Sequence, residues 1–216
     1  METLSCSVAV ARHILQDSEP DTNPHSAFWQ HASITHFDSD FFGTPIPGHS
    51  SRVLLQWTAT NLYLLFVCPY EKLHLKPNPR IDTETYELWN WDVAEVFIGS
   101  DFGNIYRYTE FEVSPQGEWV DLDVNLNDPP HERGWVWESR CAVAARIDQA
   151  AKIWYGFMRI PWISLDELPP SAGKQFRVNF FRCQGADPQR KYISWQAPGR
   201  PSFHTPEVFG TLRLVE

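Results

Sequence analysis

The placement of proline constrains the fold of this chain more than any other feature of its sequence. The chain has 17 prolines among 216 residues, and most of them stand between short apolar or alternating runs rather than inside them. Proline lacks a backbone N–H and fixes φ, so it is excluded from helix interiors and from central positions of a sheet. The pattern therefore predicts short strands that are joined by turn-rich loops.

The predicted strands cover most of the chain. Arg52–Thr58 and Leu62–Pro69 form a predicted hairpin across a three-residue turn. The others are Asp92–Gly99, Tyr106–Ser114, Gly117–Asn125, Ala142–Ile147, Ile153–Pro161, Gln175–Gln184, Tyr192–Gln196 and Gly210–Val215. Only Trp162–Leu168 indicates a helical turn, with Ser164 as its candidate cap. Because the chain has no repeat and no linker, residues 1–216 are expected to form one all-β domain, a β-sandwich.

Charge and hydropathy exclude two classes of partner. The formal net charge is −9, so the chain repels phosphate backbones and nucleic acid is not an expected partner. The most apolar run, Leu62–Val67, has the length of a strand rather than of a membrane span, so no membrane partner is expected. Met1–Arg12 has no basic start and does not resemble a secretory signal. A cytoplasmic location is expected for the chain as it stands, and a periplasmic or secreted one if a leader has been removed.

The cysteines are predicted to have a structural role. Cys6, Cys68, Cys141 and Cys183 are far apart in the sequence and form no C-x-x-C pair. This spacing therefore does not support a zinc ribbon or thioredoxin-like redox chemistry. They are expected to be buried free thiols, with one disulfide as the alternative.

Tryptophan is the residue type that points to a function. The chain has ten tryptophans, and Trp89–Asp92 places two of them beside an amide and a carboxylate, while Trp195 precedes a glutamine. The C–H bonds of a sugar ring stack on an indole face, and neighbouring polar groups can bind the sugar hydroxyls. The same tryptophans could instead fill the core of a β-protein. Both interpretations remain open at this point.

Three acidic residues are predicted to lie on strand faces. Alternation places Glu95 beside Val93 and Phe97, and the opposite face of the same strand is also apolar. That strand is therefore central, and its carboxylate needs a partner or a cleft. On the next strand, Glu110 and Glu112 share one face with a tyrosine. This second face is either a solvated surface or a ligand or ion site.

Two polar residues interrupt the aromatic strand near the C-terminus. Asn179 and Arg182 lie within Phe176–Arg182. The guanidinium of Arg182 could pair with a carboxylate such as Glu95, or it could bind sugar hydroxyls. A structural salt bridge is the alternative interpretation.

These segments resemble, in order, the strands of family 9 carbohydrate-binding modules. Asp92–Ile98 matches the D-x-x-E strand of that family, and Tyr108–Pro115, Val178–Arg182, Trp195 and Phe203–Gly210 follow in the same order. The resemblance covers roughly residues 27 to 216 and is closest to single-domain bacterial members. It implies a distorted antiparallel β-sandwich that binds a mono- or oligosaccharide, with a role in carbohydrate catabolism.

The resemblance also implies which residues bind the sugar. Two tryptophans would clamp a sugar unit: Trp89 fits the first position, with Trp91 competing for it, and Trp195 fits the second. Glu95, Asn179 and Arg182 fit the polar set around the sugar hydroxyls. Structural calcium is common in the family, but no residues here match its ligands, although Asp101, Asp121 and Asp123 are acidic enough. No other cofactor is expected.

Other functions have less support from the residues. A glycoside hydrolase could use Glu95 with Glu110 or Glu112, but the chain is short for an enzyme with a deep cleft, and a non-catalytic role is expected. A degenerate module that binds a protein partner is a further alternative. His204 has no convincing partner as a haem ligand, and the histidine spacing supports no catalytic zinc site.

Overall fold

The apolar runs between the prolines form the strands of the structure, a computed structural model that describes residues 7–128, 130–166 and 168–216. The twelve strands are β1 Val8–His13, β2 Ser33–Phe37, β3 Ser51–Trp57, β4 Asn61–Pro69, β5 Val93–Gly99, β6 Arg107–Val113, β7 Trp119–Asn125, β8 Ala142–Asp148, β9 Ile153–Pro161, β10 Gln175–Gln184, β11 Lys191–Ser194 and β12 Gly210–Val215. Short 3-10 helices lie at Ala27–Trp29, Leu88–Asn90, His131–Val136, Trp162–Ser164 and Pro206–Val208. None of the helices in the described part of the chain is long and apolar enough to span a membrane.

All of the predicted strands form, with ends that differ by about two residues at most. The sequence did not predict β1 and β2. The helical turn after Pro161 is a 3-10 helix, and the Ser164 hydroxyl donates to the Pro161 carbonyl at 2.6 Å. Ser164 therefore closes that turn, and its predicted role as an N-terminal cap is wrong.

The strands form one sheet that folds over on itself into two layers. Its strand order is β7-β6-β5-β10-β12-β1-β3-β4-β9-β8, with β11 added to β10 and β2 added to β3. Most pairs are antiparallel, but β1 pairs in parallel with both β12 and β3. This strand therefore connects the layer built on β5 and β10 to the layer built on β4 and β9. The all-β sandwich class is confirmed.

The main core lies between the two layers. Phe111 and Phe180 from one layer belong to the same buried cluster as Leu64, Phe66 and Met158 from the other. Each layer also carries a smaller buried cluster on its outer face. The outer cluster on β5, β6, β7 and β10 is the one on which the candidate site is built.

The predicted strand faces are confirmed around the acidic residues. β5 lies between β6 and β10, and every one of its residues is buried, as expected for a central strand. Glu110 and Glu112 belong to the same face of β6 as Tyr108, and they are 3% and 1% exposed. Of the two interpretations of that face, a solvated surface is therefore wrong.

The described cysteines are free thiols. Cys68 and Cys183 are buried, and Cys141 is half-buried. Burial raises the pKa of the Cys68 thiol to about 11, so it is inert at neutral pH. Cys6 lies outside the described residues.

Asp17 fastens the segment after β1 to the β3–β4 hairpin. Its carboxylate accepts hydrogen bonds from the hydroxyls of Thr58 and Thr60 at 2.5 Å, from Tyr63 at 2.8 Å and from the Asn61 amide at 3.0 Å. Burial alone would raise the pKa of Asp17, but these four donors together hold it well below its usual range.

We expect Asp17→Asn to destabilise the chain by about 1 kcal/mol at neutral pH, since solvent screens this exposed group. A lowered pKa in the folded state contributes stability above the unfolded pKa of about 3.9, and this contribution is lost as the pH falls toward the folded value. The difference in unfolding free energy between wild type and variant should therefore shrink between pH 5 and pH 2, as urea denaturation would measure. A difference that does not change with pH would contradict this role.

Candidate functional site

A pocket of about 500 Å³ opens on the outer face of the layer built on β5, β6 and β10. Its floor comes from these strands, and its walls come from loops that reach over their edge. The aromatic lining residues are Phe41, Trp89, Phe97, Tyr192 and Phe203. The polar lining residues are His74, Asn90, Glu95, Glu110, His131, Asp187, Arg190, Ser202 and His204. The pocket thus combines flat apolar faces with a dense set of hydrogen-bonding groups.

Three glutamates lie at and below the pocket floor. In the register of the sheet, Glu95 on β5 is opposite Glu112 on β6, and Glu110 lies two positions along the same face of β6. One carboxylate oxygen from each residue lies within 4.8 Å of the others, and all three residues are buried. Glu95 and Glu110 line the pocket, whereas Glu112 lies beneath it.

Burial and mutual repulsion govern the protonation of these carboxyls. Burial raises the pKa of Glu95 well above its ordinary value, and the charge of Glu110 makes a smaller contribution in the same direction. Desolvation, followed by the charges of Glu95 and Glu110, raises the pKa of Glu112 in the same way. The Cys183 thiol donates to Glu95 Oε1 at 3.4 Å, which offsets only part of this effect. The floor therefore favours a bound proton or another positive charge.

Arg190 sets the shape of one wall. Its guanidinium donates to the carbonyls of Trp89 at 2.6 Å, Trp91 at 2.8 Å and Gly185 at 2.7 Å. It also lies 5.5 Å from the centre of the Tyr192 ring. One side chain thus connects the loop that carries Trp89 to the β10–β11 turn, and it places a positive charge in the pocket wall.

Two histidines lie together on another wall. The Nε2 atoms of His131 and His204 are 3.0 Å apart, and His204 Nδ1 hydrogen-bonds with the Tyr108 hydroxyl at 2.6 Å. His204 Nε2 is also 4.0 Å from a carboxylate oxygen of Glu110. Burial is the main cause that lowers the pKa of His204 to about 3, and the nearby His131 lowers it further. The imidazole of His204 is therefore neutral at pH 7.

The aromatic walls are held by ring contacts behind them. Phe41 stacks on Tyr192 at 5.0 Å, and Phe203 stacks on the buried Phe181 at 4.2 Å. Trp89 is half-buried and meets Tyr86 edge to face at 5.4 Å. These contacts fix the rings before any ligand binds, which lowers the entropy cost of binding.

Two of the predicted site residues line this pocket, namely Trp89 and Glu95. Trp91, the competitor for the clamp position, does not line it. Its ring stacks on His74 at 4.5 Å, so it supports a lining residue from behind.

The other predicted clamp residue lies elsewhere. Trp195 is half-buried against the core between the layers, with its ring 5.4 Å from Phe180. Asn179 is fully buried: its amide donates to the Gln196 carbonyl at 2.9 Å, and its Oδ1 accepts from the Gln196 N–H at 2.9 Å. These two residues hold the segment that follows β11 in place. The structure does not bring Trp195 opposite Trp89.

The predicted pairing of Arg182 with Glu95 is wrong. Glu95 is opposite Phe181 in the sheet, so the next residue, Arg182, points to the other face. There its side chain is completely buried in the main core, where it donates to the Ser51 hydroxyl at 3.1 Å and to Gln184 Oε1. Arg182 has no access to the pocket.

Sequence reasoning did not place Arg190, Tyr192, His131, His204 or Phe203 in the site. Arg190 immediately precedes β11 and Tyr192 lies within it, and their basic and aromatic character is visible in the sequence. His131 and His204 are 73 residues apart, so no spacing motif indicates that they meet.

Among the described residues, the acidic side chains that were considered for calcium form no group of three with ligand atoms close enough to share one ion. Asp101 accepts from the Gly103 and Asn104 N–H groups within its own loop. Asp123 pairs with Arg107 at 2.8 Å. Asp121 accepts from the Ser139 hydroxyl at 2.6 Å.

Known proteins share both sequence and fold with this chain. The family model for carbohydrate-binding family 9 matches residues 131–214. A candidate carbohydrate-binding protein from Bacteroides uniformis superimposes with a TM-score of 0.76 at 16% identity, over 97% of this chain and 100% of the other. A family 9 carbohydrate-binding module from Caldicellulosiruptor kristjanssonii, solved in complex with cellotriose, gives a TM-score of 0.69 at 12% identity, over 97% and 94%.

A curated relative extends the sequence similarity beyond the matched segment. A protein of Arthroderma benhamiae, described as an extracellular protein, is 24% identical over 182 residues, which is 78% of this chain and 80% of the relative. At these identities the structural matches establish the fold. The chain therefore has the fold of family 9 carbohydrate-binding modules, and its sequence matches the model of that family over residues 131–214.

Proposed function

We propose that this chain is a non-catalytic carbohydrate-binding domain that holds one sugar unit in the pocket on its outer face. The observation that carries the proposal is the composition of the pocket, where aromatic rings and buried polar groups face the same space of about 500 Å³. A sugar ring needs both, because its C–H bonds stack on aromatic faces and its hydroxyls need donors and acceptors.

The polar groups of the pocket suit hydroxyls in particular. Glu95 and Glu110 offer carboxyl oxygens, Asn90 offers an amide, and Arg190 and His204 offer ring or guanidinium nitrogens. In this proposal Trp89 provides one stacking face, and Tyr192 or Phe203 provides the facing one. This assignment keeps two residues of the predicted site and replaces Trp195 by rings that line the pocket.

Expected affinities are modest. Each sugar–aromatic stack contributes about 1 kcal/mol beyond area burial, and hydrogen bonds to charged groups contribute roughly 1.5–3 kcal/mol each. After the entropy cost of association, dissociation constants from about millimolar to micromolar are expected. The Caldicellulosiruptor kristjanssonii family 9 modules in complex with cellotriose and with glucose support these two sugars as the first ligands to examine.

The proposal is tested by isothermal titration with glucose, cellobiose, cellotriose and a panel of other mono- and oligosaccharides. Saturable binding of one sugar class is the expected result. A flat response across the panel from correctly folded protein would overturn the proposal, and it would direct attention to a protein partner for the pocket.

Trp89→Ala should weaken sugar binding by at least about tenfold, since it removes one stack and its buried area. The matched control is Trp137→Ala. Trp137 is also half-buried, but it packs edge to face on Phe111 in the main core and does not line the pocket. Titration of both variants should show the loss in the first only; equal losses in both would contradict the placement of the sugar.

Hydrolysis is the second candidate, and the geometry of the glutamates disfavours it. Glycosidases place two carboxyls on either side of the scissile bond, about 5–9.5 Å apart. Here Glu95, Glu110 and Glu112 approach within 4.8 Å, from neighbouring strands on one floor. Carboxyls that lie side by side on one floor are not placed on either side of a bound sugar bond. Turnover of any oligosaccharide that disappears in Glu95→Gln would reinstate hydrolysis.

A further inference from the structure

The three glutamates at and below the pocket floor bring three buried carboxyl groups close together. Adjacent strands force them together, because Glu95 and Glu112 are direct partners in the sheet. Three carboxylates within 4.8 Å, all buried, repel one another strongly where water is excluded. A buried charge of this kind is normally paired or coordinates a metal.

Glu112 is the residue whose environment is least complete. It is 1% exposed, and neither of its carboxylate oxygens has a hydrogen-bond donor among the described groups. Its closest polar neighbours are the other two carboxyls, which can offer only a shared proton. A buried carboxylate without a donor indicates that a positively charged group from outside the chain belongs beside it.

The nearby cation does not fill this role. The guanidinium of Arg190 is directed at the backbone carbonyls of Trp89, Trp91 and Gly185, which hold the wall of the pocket. From the floor, the Cys183 thiol donates to Glu95.

Imidazole nitrogens adjoin the same cluster. His204 Nε2 lies 4.0 Å from Glu110 Oε2 and 3.0 Å from His131 Nε2. The other ring nitrogen of His204 is held by the Tyr108 hydroxyl at 2.6 Å, and such a bond typically orients a histidine that ligates a metal.

We propose that Glu95, Glu110 and Glu112 bind a divalent metal cation beneath the pocket, with His204 as the adjoining nitrogen donor. Ligand atoms at about 2.0–2.4 Å from one ion lie at most about 4–5 Å from each other, which is the span of these oxygens. Carboxylate donors with an imidazole suit a cation such as Mn²⁺ or Zn²⁺. The site goes beyond sugar binding, and it shares Glu95, Glu110 and His204 with the lining of the sugar pocket.

Glu112→Gln distinguishes loss of metal binding from loss of folding, because we expect it to weaken metal binding without lowering the stability of the metal-free protein. The substitution keeps the shape of the side chain and removes one of three repelling charges. Metal-free Glu112→Gln should therefore melt at the same temperature as the metal-free wild type or higher. Saturating Mn²⁺ should raise the Tm of wild type by about 5–10 °C, whereas the variant should gain little.

Direct binding is measured by titrating Mn²⁺ and Zn²⁺ into chelator-treated protein, with electron paramagnetic resonance for Mn²⁺. We expect Glu112→Gln to lose at least tenfold in affinity. The matched control is Glu84→Gln: the pKa of Glu84 is also raised, to about 7, by burial and by the charge of Asp121. Glu84 lies near Asp121, which is paired with Phe111 and therefore belongs to the opposite face of the layer. Glu84→Gln should therefore bind the metal as wild type does.

Absence of binding by both metals, or equal affinity in wild type and Glu112→Gln, would overturn the cation site. Sugar titrations in the presence of chelator keep the two proposals apart. Sugar binding without metal binding would remove only the cation site, and metal binding without sugar binding would remove only the proposed function.

Discussion

Trp195→Ala is expected to lower the free energy of unfolding by about 3 kcal/mol, at the lower end of what truncation of a large packed side chain costs. The Trp195 ring packs against Phe180 and occupies the space beside Gly210, where an added Cβ would lie 2.5 Å from a ring carbon. Its removal leaves a cavity at the border of the main core. Urea denaturation measures the loss.

The affinity for sugar should change little in the same variant, because Trp195 does not line the pocket. This expectation reverses the one that follows from the family resemblance, in which Trp195 is half of the clamp. Trp195→Phe is the control, since it retains most of the packing and should recover most of the stability. Unchanged stability together with lost sugar binding would return Trp195 to the clamp.

Arg182→Ala is the second substitution with a large expected effect, a loss of about 3–5 kcal/mol. Its guanidinium lies over the Trp154 ring at 5.9 Å and donates to Ser51 and Gln184. Gln184 in turn donates to the buried carboxylate of Asp92 at 2.9 Å. Removing Arg182 leaves these polar groups buried with incomplete partners, which costs more than a lost surface contact.

Chemical denaturation and sugar titration together identify the role of Arg182. Arg182→Met should recover part of the stability, because it restores the buried volume without a charge. Sugar affinity should remain within about twofold of wild type in any variant that folds. A sugar affinity that falls at least tenfold with unchanged unfolding free energy would contradict the structural role.

The sequence predicted the strands well because alternation and proline breaks are local signals. β5 and β6 illustrate this: their faces follow from period two alone, and the burial of Glu95 follows from the apolar character of both faces of its strand. β1 and β2 were not predicted, because each is short and weakly alternating, and β1 owes its position to parallel pairing with β12 and β3.

The candidate site could be predicted only where it is local in sequence. Trp89 and Glu95 lie six residues apart and both line the pocket. Arg182 was assigned to the wrong face because the choice depends on which residue of β10 is opposite Glu95, and that register is set by pairing between distant segments. The meeting of His131 with His204 depends on two loops whose approach no spacing rule describes.

The position of Arg190 allows the pocket of such a domain to change during evolution independently of its core. The pocket lies on the outer face of one layer, and the Arg190 guanidinium connects two of the loops that form its wall. The main core lies on the other side of the same strands. Substitutions in those loops can therefore alter what is recognised without disturbing the sandwich. Related domains can therefore differ in ligand while they keep the same fold, provided that Arg190 or an equivalent residue holds these two loops together.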